Sequence, residues 1–314
     1  MTQLLLSKDL QKYMKKHEHV FLKVHSVFKD AMNIIDDKGN LVTLVSPNKD
    51  IAPMSAQVSL GSIPNQHLES GELVEIDGDT LLFPRLNIKL NFKDHEIWNP
   101  DYQKRKTDLS MNQLESRVMA LKDLIETHGQ LEGIVELIKY LDFSVPGIVS
   151  TSVKQDLNQY ADFIEERVLK VLNLVYEGNY ELLKEFIPRF VGFGPGLTPS
   201  TDDFLLGLII SHIYERRKRG ELMKDIYSQI SKVVESTEEK TTKVSVEMLK
   251  HGVRGKVSES YRLAVQAMFY DVKASFSKTC IRVLQNGSTS GSDYLFGVYC
   301  YAQLRLKWYR EGGI

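Results

Sequence analysis

The sequence predicts an α+β protein. A β-rich N-terminal domain, in the form of a small sandwich or barrel, is expected at residues 1–105, and an all-helical C-terminal domain at residues 106–314. Two observations lead to this class. Apolar residues come in short runs separated by turn signals as far as about Trp98, and from Ser110 onward they recur at every third or fourth position. A polar segment that contains a proline, Asn99 to Asp108, lies between the two patterns and marks the boundary.

The N-terminal half contains several short apolar runs rich in valine, isoleucine and leucine. Asp-Lys-Gly-Asn and Asp-Gly-Asp separate neighbouring runs, as the turns of β-hairpins do. A short helix from Lys8 to Lys16 is expected before these strands. The strands are too many and too closely spaced for βαβ units, which favours a sandwich or a partly closed barrel. The predicted strands lie in VFLKVHSVF, AMNIIDDKGNLVTLV, VEIDGDTLLF and LNIKLNF.

The C-terminal half has the period of amphipathic helices. Ser110 and Gln113 form the pattern of a capping box, and Ser152 with Gln155 predicts a second long helix that ends at Gly178. Five further helices are expected, at residues 200–219, 222–236, 241–251, 258–284 and 293–309. The first and the last of these five are apolar on nearly every face, so we expect them at the centre of the domain.

Composition excludes several classes of function. The 314 residues are 42% hydrophobic and 26% charged, and 40 basic residues against 41 acidic residues give a formal net charge of −1. This balance predicts no nucleic-acid partner, and no apolar run approaches the roughly 20 residues that cross a membrane. The N-terminus does not have the pattern of a signal peptide, so a cytoplasmic location is expected. Cys280 and Cys300 are interpreted as reduced, buried thiols.

One motif occurs twice. GLTPSTDDFLLGLI begins at Gly196 and GSTSGSDYLFGVYC begins at Gly287, and the second copy is one residue shorter before its aspartate. Asp203 therefore corresponds to Asp293, and the glycines four positions further on correspond as well. Both copies lie between a coil and an apolar helix. We interpret them as a weak internal duplication that places two helix starts, which could face each other across a pseudo-symmetric helical core.

A helix start offers unpaired backbone N–H groups and the positive end of the helix dipole, so a glycine-rich approach suits a small anion. Hydroxyl groups can donate or accept, and carboxylates suit a ligand with N–H groups beside its oxyanion, or a magnesium ion. A ureido, amide or carbamoyl compound has both kinds of group. The candidate catalytic residues are Asp202 and Asp203, and the candidate substrate-binding residues are Gly194, Gly196, Thr198, Pro199, Ser200, Thr289, Ser290, Asp293 and His25.

Purely structural interpretations stay open for these residues. Ser200 and one aspartate can be explained as helix capping, because Ser, Pro and acidic residues are all favoured at helix starts. Capping does not explain the three alternating glycines at Gly192, Gly194 and Gly196, because each glycine carries a high cost in backbone entropy. His25 lies on a predicted strand, where a half-buried histidine is more often structural than functional. No spacing in the chain predicts a transition-metal site or a nucleophile elbow.

The same motif resembles a family signature. GFGPGLTPSTDDFLLG is similar to G-x-G-P-G-L-T-P-S-G-D-D-F-L-x-G, the pattern of a bacterial family once described only as a domain of unknown function, with Thr201 in the place where glycine is usual. VHSVFKDAMNI resembles the opening strands of that family, and TTKVSVEMLKHGVRGKVSE resembles its Thr-x-x-Ser-x-x-x-Leu segment. The best-known members are the AllH-type subunits of oxamate carbamoyltransferase.

The resemblance implies a role in ureide catabolism, beside an FdrA-type subunit and other carbamoyltransferase subunits. The enzyme of that family converts oxalurate and phosphate to oxamate and carbamoyl phosphate, and oxalurate offers carboxylate and carbonyl oxygens together with ureido N–H groups. Two alternatives remain: a non-catalytic assembly subunit whose loops only fix buried helices, and an independent enzyme that acts on another amide or ureide.

Overall fold

The structure is a computed structural model that describes residues 4–59, 68–102, 109–152, 157–221, 223–270 and 275–312. The chain forms two compact units. The first comprises Met1–Tyr102 together with Lys256–Glu259, and the second comprises Gln103–Gly255 and Ser260–Ile314.

The first unit contains one curled sheet of nine strands that forms a half-barrel, as expected for the predicted β-rich domain. The strand order is β8-β7-β6-β2-β3-β4-β5-β1-β9, and most neighbours are antiparallel, although β4 with β5 and β1 with β9 are parallel. The strands are β1 (Leu5–Ser7), β2 (Phe21–Val27), β3 (Ala31–Ile35), β4 (Leu41–Val45), β5 (Ser55–Gln57), β6 (Leu73–Asp77), β7 (Thr80–Phe83), β8 (Ile88–Asn91) and β9 (Glu96–Trp98).

The hairpin turns of the sheet have the conformations that their sequences predict. Gly39 and Gly78, in the two predicted turns, both have positive φ angles, of 83° and 57°. Helix α1 (Lys8–Lys16) has the predicted bounds. Its buried side chains Leu10, Tyr13 and Met14 belong to the same apolar core as the inward-facing residues of the sheet. The half-barrel therefore encloses a core of its own.

The second unit is helical, which confirms the predicted fold class, although it also contains a small ladder between β10 (Leu141–Asp142) and β11 (Ser150–Thr151). A 3₁₀ segment, Ile134–Lys139, follows α2. The helices are α2 (Met111–His128), α3 (Gln159–Glu177), α4 (Tyr180–Phe186), α5 (Ser200–Lys218), α6 (Met223–Glu235), α7 (Lys243–Val253), α8 (Glu259–Phe269), α9 (Phe276–Leu284) and α10 (Ser290–Arg310).

The caps of the long helices agree with the sequence in part. The capping box of Ser110 and Gln113 is present at α2, and Gly178 ends α3 with a φ of 67°. The predicted start of α3 at Ser152 is wrong. Asn158 is the N-cap instead: its Oδ1 accepts from the Ala161 N–H, and its Nδ2 donates to the carbonyls of residues 131 and 133. One asparagine therefore caps the helix and also satisfies a neighbouring loop.

The expected single helix at residues 258–284 is also wrong, because α8 ends at Phe269 and α9 begins at Phe276 after the N-cap Ser275. Residues 271–274 lie outside the described part of the chain.

Helices α5 and α10 form the centre of the second unit, as their sequences predict, because almost every residue in their first four turns is buried. They cross at a pair of glycines. A Cβ atom at Gly207 would lie 2.2 Å from the Tyr294 carbonyl oxygen, and one at Gly297 would lie 2.1 Å from the Phe204 carbonyl oxygen. Gly207 and Gly297 are equivalent in the repeated motif, and so are Phe204 and Tyr294. The repeat is therefore a pseudo-two-fold relation in three dimensions.

Candidate functional site

The two copies of the motif meet at the N-terminal ends of α5 and α10. Thr198 Oγ1 lies 2.9 Å from Ser290 Oγ, and Ser200 Oγ lies 3.5 Å from Thr289 Oγ1. Each threonine of one copy thus pairs with the helix-start serine of the other copy. These four residues were all predicted as ligand contacts, and we call them together the hydroxyl frame. The geometry brings the two loops to one place.

Asp203 and Asp293 lie inside this arrangement and are fully buried. Neither oxygen of either carboxyl group has a hydrogen-bond partner of normal geometry among the described residues. A buried carboxyl group without partners is costly, and native proteins contain few of them. The pair therefore has free hydrogen-bonding capacity at the point where the two helix starts converge.

The surroundings raise the pKa of both carboxyl groups. Burial raises the pKa of Asp203 well above its usual range, and the nearby charge of Asp293 raises it further, against the opposing effect of the Ser290 and Thr198 hydroxyls. Burial raises the pKa of Asp293 to about 7, although the Ser200 and Thr289 hydroxyls and a backbone N–H lower it. At neutral pH the pair therefore holds at least one proton over a range in which ordinary aspartates are ionised.

Asp202 is in a different situation, because both of its oxygens are occupied within the chain. Its Oδ1 accepts from the Gly192 N–H at 2.8 Å, and its Oδ2 accepts from the Thr241 hydroxyl. Burial raises its pKa, and these bonds oppose that effect. Asp202 ties the glycine-rich loop to the segment before α7. Its role as a catalytic residue stays a prediction.

In the second copy, Ser292 occupies the position of Asp202. Its Oγ accepts from the Gln130 N–H at 2.8 Å, which ties the start of α10 to the segment after α2. Each copy thus has one residue directly before its central aspartate that fixes the helix start to a neighbouring loop. The sequence did not predict this role for either residue.

The glycines of the first loop are required for different reasons. Gly192 has a φ of 81° and a Cβ there would lie 2.6 Å from the Lys240 carbonyl oxygen, while Gly194 has a φ of 124° and a Cβ there would lie 2.5 Å from the Ser200 nitrogen. Both positions require glycine for conformation and for space. Gly196 also has a positive φ, but a Cβ there would meet no atom within 4 Å. Pro199 is the N-cap of α5.

Thr201, which replaces the usual glycine of the motif, fixes the loop as well. Its Oγ1 accepts from the Phe193 N–H at 3.1 Å, and its own N–H donates to the Phe193 carbonyl at 3.1 Å. The Phe193 ring stacks on Phe163 of α3, with ring centres 5.0 Å apart. The loop is therefore held on two sides.

Gly133 is a site residue that the sequence analysis missed. A Cβ at this position would lie 3.0 Å from Asp293 Oδ1 and 3.3 Å from Ser200 Oγ. Gly133 immediately precedes the 3₁₀ segment at Ile134, so its backbone comes close to the paired carboxyl groups. A single glycine in a loop carries no periodic signal, and nothing in the sequence distinguishes it from an ordinary turn.

His25 lies on strand β2 in the first unit, half-buried, and its Nδ1 is 3.1 Å from Ser26 Oγ. Its part in ligand binding stays a prediction. Within the described ranges, no group of three or more histidine, cysteine, aspartate or glutamate residues is placed to hold a metal ion. No helix in the described residues is long and apolar enough to span a bilayer.

Two family models match the chain. One is described as oxamate carbamoyltransferase subunit AllH and matches residues 190–302, which include both copies of the motif. The other is described as the AllH family N-terminal domain and matches residues 2–96, which include strands β1 to β8 of the half-barrel. No solved structure matches the chain.

Proposed function

Since the chain belongs to the AllH family of oxamate carbamoyltransferase subunits, we propose that its two paired loops bind the small carboxylate or carbamoyl ligand of that enzyme. The observation that carries this proposal is the pair of buried carboxyl groups, Asp203 and Asp293, which have only the hydroxyl frame and a backbone N–H nearby and no hydrogen bond of normal geometry among the described residues. A ligand that fills their hydrogen-bonding capacity would remove the cost of leaving them unpaired.

The ligand that fits best has an oxyanion beside N–H groups. Its oxyanion would approach the N-terminal end of α5 or α10, where the helix dipole favours negative charge. Its N–H groups would donate to a carboxylate of the pair. Oxalurate, with a carboxylate at one end and a ureido group at the other, has this distribution, and oxamate and carbamoyl phosphate each have part of it.

Burial raises the pKa of both carboxyl groups, which favours a proton held within the pair at neutral pH. The protonated carboxyl group would donate to a ligand carbonyl oxygen, and the ionised one would accept from a ligand N–H. The pair thus presents a donor and an acceptor side by side, which matches the carbonyl and N–H of a ureido or amide group. Asp202 acts as a positioning residue for the loop.

Within the complex, the other subunits are proposed to include an FdrA-type protein, and the pathway is proposed to be the catabolism of allantoin-derived ureides. A magnesium ion is the competing occupant of the same oxygens. Titrations of the organic ligand with and without magnesium test whether the ion occupies these oxygens, because the ion would either compete with the ligand or be required for ligand binding.

Isothermal titration of the purified chain and of the reconstituted complex with oxalurate, oxamate and carbamoyl phosphate tests the proposal. We expect Asp203→Asn and Asp293→Asn to weaken binding by about tenfold or more, the size of one charge-assisted hydrogen bond. Asp225→Asn is the matched control, because Asp225 also lies in the first turn of a helix, α6, but is exposed. Full binding and turnover in a folded Asp203→Asn chain would contradict the proposal.

An assembly role without ligand binding is the second candidate, and the complete burial of Asp203 and Asp293 favours it. In that case the loops only fix the crossing of α5 and α10. Substitutions in the loops would then change the melting temperature or complex formation, while the turnover of the assembled complex would stay the same. An FdrA-type gene beside the gene for this chain would favour either subunit role over an independent amide- or ureide-acting enzyme.

A further inference from the structure

The paired carboxyl groups are closed off from solvent. Asp203 and Asp293 are both 0% exposed, so a ligand can reach them only if a neighbouring element moves. One such element is the stretch of residues 129–133 between α2 and the 3₁₀ segment, which we call the cover segment. A Cβ at Gly133 would lie 3.0 Å from Asp293 Oδ1 and 3.3 Å from Ser200 Oγ. The cover segment therefore lies against the starts of both central helices.

The cover segment is thin and irregular. Gln130 and Glu132 are exposed, whereas Gly133, the next residue, is buried against the carboxyl pair. Solvent and the pair thus lie on opposite sides of a single layer of backbone at this point. The segment contains no helix or strand, so no ladder of backbone hydrogen bonds resists its movement. Segments of this kind open at a lower free energy than the helices beside them.

Three hydrogen bonds hold the cover segment in place. The Gln130 N–H donates to Ser292 Oγ at 2.8 Å. Asn158 Nδ2 donates to the carbonyl oxygens of Leu131 and Gly133, at 2.9 Å and 3.0 Å. An amide NH₂ group has two donors, so Asn158 spends both of them on this one segment.

Asn158 is itself fixed from two directions. Its Oδ1 accepts from the Ala161 N–H at 2.9 Å, which caps α3. Its backbone N–H donates to the Glu136 carboxylate at 2.7 Å, and Glu136 belongs to the 3₁₀ segment that follows the cover segment. The carbonyls of the cover segment are therefore attached to a rigid helix start through one side chain.

We propose that the cover segment opens to admit the ligand of the carboxyl pair, and that Asn158 is the positioning residue that holds it closed. This inference rests on the proposed function of the pair as a ligand site. Removal of the two Nδ2 bonds should raise the open population about tenfold or more. Because the ligand would enter and leave by the same opening, its association and dissociation rates should rise together, while its affinity changes less.

Amide hydrogen exchange followed by NMR tests the opening without any ligand. Asn158→Ser keeps an oxygen that caps α3 well but has no second donor group for the cover segment. We expect the Gln130 amide, which is bonded to Ser292 and not to Asn158, to exchange about tenfold faster or more in this variant. Should Asn158→Ser fail to fold, Asn158→Asp keeps the shape and the capping oxygen and also lacks the two donors.

The matched control is Asn179→Ser, and for the second variant Asn179→Asp. Asn179 is the N-cap of α4, where its Oδ1 accepts from the Leu182 N–H at 3.2 Å, and its side chain makes no other hydrogen bond among the described residues. The control should leave the exchange of the Gln130 amide unchanged. A role of Asn158 in capping alone predicts equal Gln130 exchange in the Asn158 and Asn179 variants, and that result would overturn the proposal.

Line-shape analysis of NMR titrations with oxalurate measures the two rates. We expect both rates to rise about tenfold in Asn158→Ser and to stay unchanged in Asn179→Ser. An unchanged association rate in a variant whose Gln130 amide exchanges faster would also overturn the proposal, because the ligand would then enter by another route. If oxalurate, oxamate and carbamoyl phosphate all fail to bind the unmodified chain, the paired-loop site is wrong, and the exchange measurement still decides whether Asn158 holds the cover segment.

Discussion

The two copies of the motif differ at their edges and agree at their centre. Both copies place an aspartate, a serine and a threonine at the meeting point of α5 and α10, and both have a glycine at the crossing. Their approaches are unlike. The first has three glycines of positive φ and an aspartate tether at Asp202, and the second has a shorter approach and a serine tether at Ser292. What the copies share is the part that faces the pseudo-two-fold axis.

The largest effect that separates the shared centre from the edges is a change in pH dependence. Because the pKa of Asp293 is raised to about 7, the folded chain holds a proton there that the unfolded chain has lost above about pH 4. The free energy of unfolding should therefore fall as pH rises from about 4 to about 7. The Asp293→Asn variant should lack this contribution to the pH dependence of unfolding. The contribution is up to about 4 kcal/mol for a pKa shift of about three units.

Urea unfolding at several pH values measures this difference. Asp225→Asn, at an exposed helix start, should keep the pH dependence of the unmodified chain. An Asp293→Asn chain with the unmodified pH profile would mean that Asp293 is ionised at low pH like an ordinary aspartate.

The crossing glycines should respond equally in the two copies. Gly207→Ala and Gly297→Ala each place a Cβ about 2 Å from a backbone carbonyl oxygen, so the two helices must separate. We expect each to lower the free energy of unfolding by about 3 kcal/mol. Gly252→Ala on α7 is the control, because a Cβ there would come close to the end of the Leu206 side chain and meet Ile209 Cγ2 at 3.8 Å, but no backbone atom. Unequal losses at Gly207 and Gly297 would contradict the pseudo-symmetric crossing.

The tethers should respond unequally. Asp202→Ala removes the bonds from the Gly192 N–H and the Thr241 hydroxyl, together with a longer one from the Thr201 hydroxyl at 3.3 Å. Ser292→Ala removes one bond, from the Gln130 N–H. We expect losses of about 2 kcal/mol for Asp202→Ala and about 1 kcal/mol for Ser292→Ala in thermal or urea unfolding. A larger loss for Ser292→Ala would show that the second copy depends more on its tether than the first.

The smallest effect is expected at Gly196, where a side chain has space but the backbone conformation does not suit it. Gly196→Ala should cost about 1 kcal/mol, the strain of a positive φ angle in a residue with a Cβ. Ligand affinity then separates two uses of this glycine. Unchanged affinity in Gly196→Ala would mean that this glycine is needed only for the conformation of the turn. Weakened affinity would mean that the ligand approaches the backbone of Gly196.

Much of this architecture could be predicted from the sequence because its signals are local. The change of apolar period near residue 100, the capping box at Ser110 and the repeated motif are all read within short windows, and the repeat also gave the pairing of α5 with α10. Hydroxyl and carboxyl residues at the two helix starts followed from the same repeat.

The parts that were missed depend on contacts between distant segments. Gly133 and Gln130 reach the site from loops far away in sequence, and no local pattern marks them. The break between α8 and α9 was missed for a related reason. No glycine or proline lies between Phe269 and Phe276, so the sequence contains no local helix breaker there.

The central claim is that Asp203 and Asp293 belong to one site, and the coupling of their titrations tests it most directly. Carbon-13 NMR of labelled aspartate side chains can follow the Asp203 carboxyl group in the unmodified chain and in Asp293→Asn. Because the charge of Asp293 contributes to the raised pKa of Asp203, replacing Asp293 should lower the pKa of Asp203. An identical pKa of Asp203 in the two proteins would mean that the two carboxyl groups do not share a site.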